Sequence, residues 1–442
     1  MTAAGSASTD GPAMYEPEWE RMPRQRLEAL QLERLGRVLR RAADSMPFYR
    51  RVFEAGGLTP ADIAGVDDLR HLPFTTKSDL REHYPFGFFA LPLTEIRRLH
   101  ASSGTSGTPT VVGYSAGDLE LWARLMARSL MAGGARPGDI VHNAYGYGLF
   151  TGGLGAHDGA ARLGCTVVPV SGGNTERQVR LLADFGARVL CATPSYALNI
   201  AEVAERMGVD LAAAPVAIGI FGAEPWSEAL RTELEQRLGL KAVDMYGLSE
   251  ILGPGVAVEC ADGQAGQHIW EDHFLVEVID PESGEAAPPG ALGELVITTL
   301  TKEAMPVIRY RTRDMTRLID APCVCGRTHR RLGRVAGRSD DMLIIRGVNL
   351  YPSEVEAQLV GFPEIAPHYQ LVVSRQGALD SLAVEVEAAA GVPDEAYGRI
   401  ATAVGRHLKA MVGLSATVTV KPPGGVPRSE GKAVRVRDLR RT

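Results

Sequence analysis

Residues 177–194, RQVRLLADFGARVLCATP, run from amphipathic helical spacing through a glycine turn into a short apolar strand. Upstream, 118–135 (DLELWARLMARSLMAGGA) has the same helical spacing and 139–148 (DIVHNAYGYG) opens as a strand, so helix and strand alternate along this part of the chain. Alternation of this kind predicts an α/β fold, because parallel strands need crossovers, usually helical, that cover the sheet. The expectation is a large N-terminal domain with parallel-rich sheets flanked by helices. Between Gly255 and Leu318 the texture shifts to alternating segments such as 273–284 (HFLVEVIDPESG) and 294–300 (ELVITTL), broken by Pro and Gly. That pattern predicts a smaller β-rich subdomain. After GRSDDMLIIRG (337–347), a helix from Ser353, a strand at 368–375 and the alternating pair 381–388 and 416–423 predict a small α+β C-terminal domain. The expected organisation is therefore a disordered leader 1–14, a large domain 15–339 and a small domain 340–442.

A chain of 442 residues with 45% hydrophobic content can bury a large core. A net charge of -6 with 23% charged residues points to neither nucleic acid nor an anionic membrane. No apolar run reaches the roughly twenty residues that span a bilayer, and the first residues lack a basic start and an apolar stretch. A cytoplasmic protein is expected. The five cysteines form an odd set in a chain too long to need a disulfide scaffold, so free thiols or a metal site are expected instead. Cys165 and Cys191 lie in apolar runs and read as small buried hydrophobes.

The densest chemical signal is Ser102, Ser103, Gly104, Thr105, Ser106, Gly107, Thr108, Pro109, Thr110. Glycines let backbone N–H groups converge on an anion and the hydroxyls add donors, so the run suits phosphate oxygens. A plain surface loop is the alternative, and the Walker pattern is excluded because no Gly-Lys-Ser/Thr follows. A second stretch, Asp244, Met245, Tyr246, Gly247, Leu248, Ser249, Glu250, offers an aromatic face for a purine and a carboxylate for Mg²⁺.

These two runs, followed in order by YRTRD (310–314), GRSDDMLIIRG (337–347) and EGKAVRV (430–436), with GAEPW (222–226) between them, resemble the adenylate-forming superfamily of acyl-CoA synthetases, adenylation domains and luciferases. The fuller matches at 101–115, 142–157, 169–178, 193–198, 268–274 and 301–314 are similar to the phenylacetate-CoA ligase family. The resemblance implies an ATP-dependent ligase that adenylates an aryl acid, releases pyrophosphate, and then transfers the acyl group to coenzyme A with release of AMP. It also implies residue roles. The loop from Ser102 to Thr108 would hold the β- and γ-phosphates, and Ala223 and Glu224 would border the adenine. Asp244 would meet the adenine amino group and Tyr246 would stack on the ring, with Met245 and Gly247 beside them. Glu250 would bind Mg²⁺, Asp314 the ribose hydroxyls, and Arg338 the nucleotide near the domain junction. Asp340 would be the hinge of a mobile C-terminal domain. That domain would carry Lys432 to the α-phosphate in one half-reaction and Gly347 to the pantetheine tunnel in the other.

Where close relatives usually carry Lys, this loop has Thr108, which supplies a hydroxyl but no charge. The acid pocket is read from 142–157: Tyr145, Tyr147 and Phe150 supply aromatic walls, and Gly146, with Gly222, leaves room for a flat ring. Asp158 suggests a ring bearing an amino or hydroxyl group. Cys260 and His268 (C-x7-H) with Cys323 and Cys325 (C-x-C in PCVCGRTH) offer four ligands for a structural Zn²⁺; His329 competes for the fourth place, and unconnected thiols are the alternative. Two rival functions share these motifs: loading of a carrier-protein phosphopantetheine, and a binding-only descendant that senses nucleotide or acyl-adenylate. A homodimer is the expected assembly.

Overall fold

The computed structural model describes residues 13–102, 108–345, 348–376, 379–429, 431 and 433–441. Its centre is a nine-stranded sheet. Five strands are parallel, in the spatial order Thr166–Val168, Ile140–Asn143, Val189–Ala192, Ile218–Gly222 and Lys241–Leu248. The last of these turns back antiparallel into Gly253–Glu259, and Gln267–Ile269, Arg331–Leu332 and Leu318–Ile319 complete the edge. The strand Val189–Ala192 is buried along its whole length, as expected of a parallel strand covered on both faces.

Helices supply the cover because their sequences stop and start cleanly. Ser115 caps Ala116–Ala132 by accepting from Asp118 N–H at 3.0 Å, while Asp118 accepts from Ser115 N–H at 3.0 Å. Gly164, Gly208 and Gly239, all left-handed, end the helices Thr151–Leu163, Pro194–Met207 and Glu228–Leu238. One face of the sheet packs on a core that includes Trp122, Met126 and Trp270, the other on Tyr196, Trp226 and Leu234.

The expected β-rich unit is present but begins at Phe274. Its sheet is antiparallel, in the order Phe274–Ile279, Gly293–Thr299, Tyr310–Thr316, Gly337–Arg338. The preceding strands, Gly253–Glu259 and Gln267–Ile269, extend the large sheet instead, because long-range pairing rather than local texture sets their partners. A separate core of Leu343, Val355, Leu371, Val384, Ile400 and Leu408 underlies the C-terminal part, where helices Pro352–Leu359 and Tyr397–Val412 pack with a four-stranded sheet. Among the described residues no helix is long and apolar enough to cross a membrane.

Candidate active site

The strand Lys241–Leu248 delivers Asp244, Met245, Tyr246 and Gly247 to the carboxyl end of the parallel strands, the end at which open α/β sheets bind ligands. Beside it, Ile218–Gly222 ends in a turn whose geometry leaves no room for a side chain: a Cβ on Gly222 would stand 2.2 Å from Met245 O. Ala223 follows with φ 72°, a left-handed conformation that costs a non-glycine residue about 1 kcal/mol or more and re-aims the chain so that Glu224 faces the C-terminal segment.

Tyr246 is buried, and its Oη donates to Asp314 Oδ2 at 2.6 Å. Burial and the adjacent carboxylate push the phenol well above its usual range. Asp314 lies opposite Arg338 in the antiparallel pairing, with Arg338 Nη1 3.7 Å from Asp314 Oδ1. The Arg338 fork also grips Asp340 through two bonds of 2.9 and 3.0 Å. The tyrosine expected on the purine, the acid expected on the ribose, the arginine expected on the nucleotide and the acid expected at the hinge thus form one connected set.

Glu250 is buried two residues beyond this strand, with Lys77 Nζ 3.4 Å from its Oε1. Its backbone carbonyl accepts from Lys302 Nζ at 3.1 Å. Lys302 is itself buried, which drives its pKa down to about 8, and its ammonium lies 5.2 Å from the Tyr114 ring centroid. Tyr114 Oη donates to Leu252 O at 2.9 Å, and Thr151 Oγ1 lies 3.1 Å from Ser249 Oγ. These bonds tie the Glu250 turn to the strand pair Arg98–Ala101 and Val111–Tyr114, which brackets the hydroxyl-rich segment. At the base of that segment Ser102 N–H donates to Thr110 O at 3.0 Å. Ser103, Gly104, Thr105, Ser106 and Gly107 lie outside the described residues; Thr108 is exposed.

Glu224 joins the start of helix Pro194–Met207 to the C-terminal segment. Its Oε1 accepts from Ser195 N–H at 2.8 Å and its Oε2 from Ala433 N–H at 2.7 Å. Gly431 O accepts from Thr193 Oγ1 at 2.9 Å and Ser195 Oγ at 3.3 Å. Gly431 and Ala433, the chain neighbours of Lys432, are therefore anchored on the turn that follows the parallel strands. Lys432 itself and Gly347 lie outside the described residues.

Most residues expected at the acid pocket lie just ahead of helix Thr151–Leu163. Phe150 stands at the start of helix Thr151–Leu163 and is 53% exposed. Tyr145 is buried, with its hydroxyl donated to Ile220 O at 3.1 Å. Tyr147 is half-buried, its Oη 2.8 Å from Asn143 Nδ2 and 3.2 Å from His157 Nδ1, with exposed Gly146 before it. Asp158 is ion-paired to Arg98 at 2.7 Å. Cys260, His268, Cys323 and Cys325 do converge, at the opposite end of the sheet from Leu248. Sequence reasoning missed Lys77, Lys302, Thr193 and Ser195. Lys302, a charge within TKEAMPVIRY, had a detectable signal; Lys77 had none.

The AMP-binding enzyme family model matches residues 99–301, and the AMP-binding enzyme C-terminal domain model matches 347–440. A phenylacetate-coenzyme A ligase of Thermus thermophilus is 52% identical over 444 aligned positions, spanning 97% of this chain and 100% of its own. Among solved structures, 2-hydroxyisobutyryl-CoA ligase in the postadenylation state with 2-HIB-AMP superposes with a TM-score of 0.92 at 31% identity, covering 96% of this chain and 92% of that one. The same ligase with 2-HIB-AMP and CoA in the thioesterification state, over the same shares and at 32% identity, gives 0.72. The arrangement described above, with Gly431 on Thr193 and Ser195 and Ala433 on Glu224, is thus more similar to that ligase's postadenylation structure than to its thioesterification structure. With both family models covering most of its length and a full-length relative at 52% identity, the chain belongs to the AMP-binding, adenylate-forming enzymes, in the phenylacetate-coenzyme A ligase family.

Proposed function

We propose that this protein is an ATP-dependent, AMP-forming ligase that activates an aryl acid, with phenylacetate as the first candidate, and transfers the acyl group to coenzyme A. The observation that carries the reading is the Tyr246–Asp314–Arg338 set at the carboxyl end of the parallel strands, beside the docked neighbours of Lys432. Asp314 has two carboxylate oxygens for a pair of ribose hydroxyls, and Tyr246, held by its hydroxyl, offers a ring face to adenine. Ala223, Glu224, Asp244, Met245 and Gly247 border that ring, and the 102–108 segment takes the β- and γ-phosphates.

Glu250 is a hard oxygen donor, and one carboxylate completed by phosphate oxygens and water suits Mg²⁺. Bound there, Mg²⁺ would neutralise triphosphate charge. Lys77, on the same carboxylate, is a cation placed to offset the charge that Thr108 does not supply. Adenylation needs no protein nucleophile. The acid oxygen attacks the α-phosphorus, pyrophosphate leaves, and Lys432 stabilises the charge that develops.

Thioester formation then requires Lys432 to withdraw and Gly347 to approach. The hinge at Asp340, between the large domain 15–339 and the small domain 340–442, is held here by Arg338 and is released when that fork lets go. Cytoplasmic action and a homodimer belong to the same proposal, the first supported by five unpaired cysteines.

The test is AMP release with ATP and a panel of phenylacetate, benzoate and their amino and hydroxy derivatives, with free CoA or a holo carrier protein as acceptor. CoA-dependent release with phenylacetate supports the proposal. Release only with the carrier moves the acceptor, and no release with any acid leaves a binder.

A further inference from the structure

Three neighbouring parts of the nine-stranded sheet place cysteine and histidine side chains against one another. Cys260 follows strand Gly253–Glu259, His268 is the middle residue of Gln267–Ile269, and Cys323 and Cys325 sit in the connection between Leu318–Ile319 and Arg331–Leu332. Their four ligand atoms lie within 4.8 Å of one another. Cys260 Sγ is 3.5 Å from Cys323 Sγ, and Cys325 Sγ is 3.3 Å from His268 Nε2. Two sulfurs about 2.3 Å from a tetrahedral centre stand about 3.8 Å apart, whereas a disulfide would bring them to about 2.05 Å. The spacing is that of ligands.

The surroundings are arranged around that cluster. His268 Nδ1 lies 3.2 Å from His329 O, and an N–H donated there leaves the Nε2 lone pair facing the sulfurs. Gln264 N–H donates to Cys260 O and Gly326 N–H to Cys323 O, both at 3.0 Å, so each cysteine opens a tight turn. Gly326 sits at φ +73°, and a Cβ on Gly263 would stand 3.1 and 3.3 Å from the Cys323 and Cys260 sulfurs. His329, the rival fourth ligand, is already committed: Nδ1 accepts from Glu271 N–H at 2.9 Å, and Nε2 lies 2.9 Å from Trp19 O.

We infer that Cys260, His268, Cys323 and Cys325 hold one structural Zn²⁺, which clamps the 322–329 connection and, through it, the N-terminal helix. Three thiolates and an imidazole are the soft donor set zinc prefers, and four protein ligands leave no position for a substrate. The clamped connection is the surface on which Pro17–Glu20 docks. Arg327 Nε donates to Glu20 Oε2 at 2.7 Å, both side chains fully buried, and Thr328 Oγ1 donates to Met22 O at 2.7 Å.

Elemental analysis of the full chain, purified with zinc in the medium and under reducing conditions, is the test. About one zinc per chain is expected, falling at least about fivefold in Cys323→Ser and His268→Ala and unchanged in Cys165→Ser. Because a ligand variant can misfold, cobalt-substituted wild type gives a second readout, a thiolate-to-cobalt charge-transfer band. Chelating the metal from wild type should also speed tryptic cleavage after Arg21 and Arg24. Wild type without zinc, zinc retained in both ligand variants, or cobalt bound without the sulfur band would each overturn the inference.

Discussion

Tyr246 Oη donates to Asp314 Oδ2 at 2.6 Å, joining a strand of the nine-stranded sheet to a strand of the antiparallel sheet that begins at Phe274. The bond holds the tyrosine ring, and the other Asp314 oxygen lies 3.7 Å from Arg338 Nη1. On the proposed reading, removing the acid costs both a ribose ligand and a ring support. Asp314→Ala should raise the KM for ATP by about 10- to 100-fold, the value of one charge-assisted hydrogen bond. Tyr246→Phe keeps the ring and should cost less, about tenfold or under. Initial rates at saturating acid check both.

Glu224 accepts from Ser195 N–H and from Ala433 N–H, so it holds the chain beside Lys432. Glu224→Ala should slow the acid-dependent ATP–pyrophosphate exchange by about tenfold, one charge-assisted bond. Thioester formation from presented acyl-adenylate, which uses the other domain arrangement, should change far less. Equal loss in both half-reactions would mean a general structural effect.

Thr108 is exposed at the end of the hydroxyl-rich segment. A lysine there adds one charge near triphosphate oxygens in a solvated setting, an effect of about 1 kcal/mol. Thr108→Lys should lower the KM for ATP by about fivefold at low salt, with the gain shrinking as ionic strength rises.

His273 is fully buried, and burial drives its pKa down to about 4 despite Asp272. Arg124 Nη2, 2.9 Å from Nε2, donates to a ring that must be neutral to accept. The unfolded chain binds this proton below about pH 6.5 while the folded one does not until about 4, so stability falls as pH drops through that window. The loss should reach about 3 kcal/mol. Denaturant unfolding of wild type and His273→Gln between pH 7 and 4 should show the wild type falling more steeply.

Much of this was legible because the relevant signals are local. GAEPW and YGLSE each occupy a strand end, where glycine, aromatic and carboxylate cluster within a few residues, and YRTRD lies within the strand Tyr310–Thr316. The contacts between them are not local. Tyr246 and Asp314 are 68 positions apart, and their meeting depends on how two sheets pack. Lys77 reaches Glu250 from a short helix, Lys77–Glu82, that carries no motif. Arg331–Leu332 is too short for a periodicity signal, yet it pairs with Gln267–Ile269 and brings the Cys323–Cys325 connection to His268.

The most direct measurement is a crystal structure of the full chain with a non-hydrolysable phenylacetyl-adenylate analogue. The account predicts adenine on Tyr246, ribose hydroxyls on Asp314 and the Lys432 ammonium near the phosphate mimic. An analogue bound elsewhere, with Tyr246, Asp314 and Lys432 all out of reach of it, would contradict the account.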